Sequence, residues 1–67
     1  MSYYDFKNHI TNLIKTTGQN INVEFSTDKD KGIYIAVLSD GTVITVPFRG
    51  FKMTVRWGSG HVAMANV

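Results

Sequence analysis

The chain has 67 residues, no cysteine and a net charge of +2, which excludes a second domain, disulfide stapling, thiolate metal sites and a cysteine nucleophile together. With 43% hydrophobic and 12% aromatic residues it can build a core. A chain this short buries only about 60% of its unfolded surface, so association with another copy is the means left for covering more.

Ser2 lies three residues before Asp5, the spacing of a capping box, and predicts a helix over 3–17. Within it Tyr3, Phe6, Ile10, Leu13 and Ile14 recur at three- and four-residue steps, one apolar stripe on an otherwise polar helix. Gly18 follows, suited to the left-handed conformation that closes a helix.

The period then falls to two. Ile21, Val23 and Phe25 alternate with polar neighbours and predict a strand near 20–26, followed by a charged loop over Thr27 to Lys31. Ile33 to Leu38 is an unbroken apolar run. It predicts a strand at 32–38 and is far shorter than the roughly 20 residues that cross a bilayer. Asp40-Gly41 reads as a two-residue type I′ hairpin turn into a strand at 42–47, ended by Pro47. Those loop lengths pair Val37 with Ile44, Ile35 with Val46, Phe25 with Ile33 and Val23 with Ile35, so Ile35 falls at the sheet centre and its truncation to alanine is expected to cost about 2–5 kcal/mol. Pro47-Phe48-Arg49-Gly50 is the next turn, and a strand at 51–57 follows with Phe51, Met53, Val55 and Trp57 on its apolar side. That pairs Val46 with Phe51 and Ile44 with Met53. Gly58-Ser59-Gly60 leads into a last strand at 61–66, whose register two- and three-residue turns leave open.

The expected fold is α+β, one N-terminal helix packed on a four- to five-stranded antiparallel meander, in a single domain over 1–67. One helix covers one face. The registers above turn Tyr34, Ala36 and Leu38 to the other face beside Val43 and Thr45, between Asn22 and Glu24 on one side and Lys52, Thr54 and Arg56 on the other. Tyr34, Leu38, Val43 and Thr54 are therefore the expected partner-binding residues, and a homo-oligomer, most simply a dimer, is expected to cover that face or to extend the sheet through an edge strand.

Catalytic constellations are poor. His9 and His61 lack a second ligand at metal-binding spacing, Asp28 and Asp30 alternate with lysines as in a solvated turn, and no phosphate-loop, nucleophile-elbow or dinucleotide motif occurs. No enzyme activity, metal or cofactor is expected. The charge is unevenly spread, since four lysines face five acids through residue 40, whereas Arg49, Lys52 and Arg56 have no acid after it. With Phe48 as a stacking ring, the amides around Ser59, and His61, these cations make a candidate site for an anionic ligand, a nucleotide or single-stranded nucleic acid.

The expectation is thus a non-catalytic binding protein, an inhibitor or regulator of the compact accessory kind that viruses and mobile elements encode, occupying a protein partner. A nucleotide- or nucleic-acid-binding module is the alternative. Absent cysteine, and an N-terminus without the features of a signal peptide, lead us to expect it in the cytoplasm, with no membrane partner.

Overall fold

In the structure, a computed structural model describing residues 1–67, the Ser2 side chain accepts a hydrogen bond from the Asp5 amide at 3.1 Å. With that otherwise orphaned amide satisfied, helix α1 runs Tyr3–Thr17 and ends on Gly18 at φ 68°. Five strands follow: β1 (Val23–Asp28), β2 (Ile33–Leu38), β3 (Val43–Pro47), β4 (Lys52–Arg56) and β5 (Val62–Asn66). They form one antiparallel sheet in meander order, so the expected helix-on-meander α+β fold is what the chain adopts.

Phe6 and Ile10 of α1 are fully buried and meet Ala36, Leu38, Ile44, Val46 and Met53 from the three central strands. Aromatic packing surrounds this contact: the Phe6 ring stacks at 5.7 Å on Tyr34 and meets Phe25 edge-on at 6.0 Å. Tyr34 lies 4.6 Å from Phe48 on its other side.

These contacts correct the expected registers. Val23 pairs with Leu38 and Phe25 with Ala36; Ala36 pairs with Ile44, and Val37 with Val43. Strand β2 is turned over relative to its neighbours. Tyr34, Ala36 and Leu38 face the helix, while Ile33, Ile35 and Val37 face away.

The cause lies in the turns. A type I′ turn needs positive φ at both central residues, and Asp40 does not adopt it, since no residue other than glycine does. The chain instead makes a three-residue loop, Ser39-Asp40-Gly41, in which the Gly41 amide donates to Leu38 O at 3.0 Å and the Leu38 amide to Thr42 O at 2.8 Å. Gly41 takes φ 92° there. The first hairpin differs too: β1 extends to Asp28, whose carboxylate accepts from the Asp30 and Lys31 amides at 3.1 Å each and so closes the loop in fewer residues. Each change is an odd number of positions, and an odd slip exchanges faces.

The β3 to β4 turn shifts the pairing by two, to Ile44 with Val55, and faces are kept. It does move the aromatics. Phe51, expected in the core, is 69% exposed and Trp57 is 43% exposed, whereas Phe48, expected outside, is half-buried against Tyr34. The last turn repeats the Ser39–Gly41 pattern, with the Gly60 amide donating to Trp57 O and the Trp57 amide to His61 O. This fixes the register that the sequence leaves open, Met53 with Ala65 and Val55 with Ala63.

Asp40 holds its loop through its carboxylate, which accepts from the Thr42 amide at 2.9 Å. That bond, with the Thr42 hydroxyl adding to it, lowers the Asp40 pKa below its ordinary value. A carboxylate depressed in the folded state stabilises above its unfolded pKa, and the contribution is lost as pH falls through the folded one. Thermal unfolding of Asp40→Asn is therefore expected to lie below that of the parent at neutral pH, with the gap narrowing as the pH falls below about 4. An equal gap at both ends would refute it.

Candidate interaction surface

The face of the sheet opposite α1 has no covering element. Cross-strand partners share a face, so the pairings place Glu24, Val37, Val43, Arg56 and Val62 in one row across all five strands. Ser26, Ile35, Thr45, Thr54 and Met64 form the next. At the far end Asp28, Ile33 and Pro47 line up, and Lys52 pairs with Asn66.

The rows put an apolar centre on β2 and β3, both acids on β1 and both cations on β4. Val37 is 42% exposed, Val62 54% and Met64 63%; Ile33, Ile35 and Val43 are half-buried. No continuous apolar patch is needed on this side for the core, which is complete on the other.

Of the expected partner-binding residues, Val43 and Thr54 lie on this face. Tyr34 and Leu38 do not, because the turned-over β2 commits them to the helix side, where Leu38 is buried and the Tyr34 hydroxyl donates to the Met1 carbonyl at 3.2 Å. Ile33, Ile35 and Val37 take their place. The unbroken apolar run was the available signal, since it furnishes an apolar residue to both faces at every position.

The expected anionic-ligand residues divide between opposite ends of the β3–β5 region. Phe48 and Arg49 are in the turn before β4, Ser59 and His61 in the turn after it, and Lys52 and Arg56 point from β4 onto the open face. Phe48 is half-buried and packs on Tyr34, so its ring is already engaged in an aromatic contact. The Gly60 amide is already bonded within its turn, leaving fewer donors for a phosphate.

The two edges of the sheet also differ. Strand β1 carries Glu24 and Asp28, and the Lys7 ammonium lies 5.8 Å from the Phe25 ring beside it; charge on an edge discourages further pairing. Strand β5, Val-Ala-Met-Ala-Asn, has no charge. His61 and Val67 bond inward to Trp57 and Phe51, so by alternation the amides and carbonyls of Val62, Met64 and Asn66 point outward from the sheet. On the helix side an open groove of about 400 Å³ lies among Leu13, Ile14, Ile44, Val55 and Trp57. Of the polar residues that line it, Asp40 and Thr42 are bonded to each other and the Thr16 and Thr17 hydroxyls donate to helix carbonyls. Compared with protein families, curated proteins and solved structures, the chain finds no match in any of the three.

Proposed function

We propose that this chain is a non-catalytic binding protein, an inhibitor or regulator that works as a homo-oligomer and occupies a protein partner through the surface of its sheet. The observation that carries the reading is the apolar centre on β2 and β3, rimmed by charge, on a face that the helix cannot reach. This is the anatomy of a protein interface, apolar within and polar around. The uncharged β5 edge supports it further, because unpaired main-chain groups there can accept one more strand from a partner. The acids and histidines lend themselves poorly to chemistry: Asp28 and Asp40 close turns, His9 is on the helix and His61 lies in the turn before β5.

Met64→Pro tests the reading without touching an internal hydrogen bond, since the Met64 amide points outward. Capture from lysate by the parent chain is expected to retain a protein partner, and Met64→Pro to weaken that retention, because it removes an outward main-chain donor on which strand addition depends. Recovery of nucleotide or nucleic acid instead, released steeply by salt and by Lys52→Ala or Arg56→Ala, would overturn it in favour of an anionic ligand.

A further inference from the structure

We propose that the open face binds a second copy of this chain about a two-fold axis lying parallel to the strands, between β2 and β3. This rests on the reading of that face as a contact surface and names its occupant.

The charge pattern selects the axis. A two-fold rotation about a line parallel to the strands keeps each row on its own row while exchanging left and right. With the axis between β2 and β3, strand β1 of one copy faces β4 of the other, and β2 faces β3. Glu24 then meets the second copy's Arg56, Val37 its Val43, and Asp28 the end of β4 that carries Lys52. Symmetry makes each contact twice.

Other placements of the axis fail electrostatically. Turned by a right angle within the face, it lays each strand on its own counterpart with the rows reversed, so that Glu24 meets Asp28 and Lys52 meets Arg56. Moved onto β3, it sets Val37 against Arg56 and Glu24 against Val62. Moved onto β2, it sets Glu24 against Val43 and leaves the cations of β4 unopposed. Only the axis between β2 and β3 opposes acid to base at both ends of the strands while joining Val37 to Val43 and Ile33 to Pro47, with Ile35 against Thr45 in the middle row. Sheets stacked about 10 Å apart at about −30° rotate the outer strands off perfect superposition, and the long side chains of Glu24, Lys52 and Arg56 can span that offset.

Four strands at about 4.8 Å and five residues at about 3.3 Å give a patch of about 19 by 17 Å. Such a contact is at the small end of specific interfaces, so a reversible dimer is expected at micromolar concentrations. In it β5 faces no strand of the other copy, which leaves its edge free for a different protein.

Sedimentation equilibrium of the full chain at low salt tests the arrangement. The parent is expected to approach twice the 7.5 kDa chain mass. Glu24→Lys with Asp28→Lys should weaken association at least about tenfold, because like charges then face each other across the interface. Adding Lys52→Glu and Arg56→Glu to that chain should restore it, as should mixing the Glu24→Lys, Asp28→Lys chain with a Lys52→Glu, Arg56→Glu chain. Circular dichroism establishes that each variant is folded, and where the lysine pair impairs folding, Val37→Asp at the centre of the patch gives the same loss.

A parent that stays at 7.5 kDa through hundreds of micromolar would overturn the proposal. So would a dimer indifferent to all of these changes, and a dimer broken by Met64→Pro alone would place the contact at the β5 edge. In each of these cases the capture experiment with Met64→Pro still decides separately whether the chain binds another protein.

Discussion

Phe6→Ala is expected to destabilise the fold by about 3–5 kcal/mol, the largest loss among single truncations in this chain. The ring has no exposed surface and lies between the sheet and its own helix. It stacks on Tyr34 and meets Phe25 edge-on, so alanine removes two aromatic contacts as well as buried area and leaves a cavity that a rigid sheet cannot close. A domain of this length has a total stability of about 3–10 kcal/mol. The variant should therefore unfold at ambient temperature or at a clearly lower urea midpoint than the parent. A shift of less than about 1 kcal/mol would mean that the helix does not close the core through this residue.

Ala36→Leu should cost about 1–3 kcal/mol by overpacking, because Ala36 is fully buried at the centre of β2 among residues that touch Phe6 and Ile10. Its neighbour is expected to behave in the opposite sense. Ile35→Ala removes three carbons from a half-buried side chain on the open face, a loss of about 1 kcal/mol or less in the monomer. The registers read from the sequence reverse this order, with Ile35 in the core and Ala36 outside. Urea unfolding of both variants, at a protein concentration low enough to keep the chains apart, distinguishes the two arrangements directly. If Ile35→Ala were the more damaging, the pairing of Ala36 with Ile44 would be wrong.

Strands β1, β3 and β4 present the face that their own alternation announces. Glu24, Ser26, Thr45, Lys52, Thr54 and Arg56 are polar, and each marks the solvent side of its strand. Strand β2 has no such mark, and its side was decided by loop length.

The candidate surface was legible to the same extent. That an apolar sheet face would remain uncovered, rimmed by Glu24, Lys52 and Arg56, follows from one helix and five strands of this composition. Which residues of β2 occupy its centre does not. Phe48 and Phe51 exchanged places for a related reason: a turn can direct successive side chains inward or outward without the fixed alternation that makes strands readable.

The sequence by itself determined the elements, their order and the side of every strand that alternates, because capping, periodicity and turn residues act over a few neighbours. The tertiary structure alone decided that Tyr34, Ala36 and Leu38 lie beneath the helix and that Ile33, Ile35 and Val37 lie opposite. Asp40 keeps negative φ within a three-residue loop, Asp28 shortens the loop before β2, and each odd shift turns the strand over. The small Ala36 then gives Phe6 and Ile10 room to seat against the sheet, while the branched side chains of β2 are left on the face where we place the second copy.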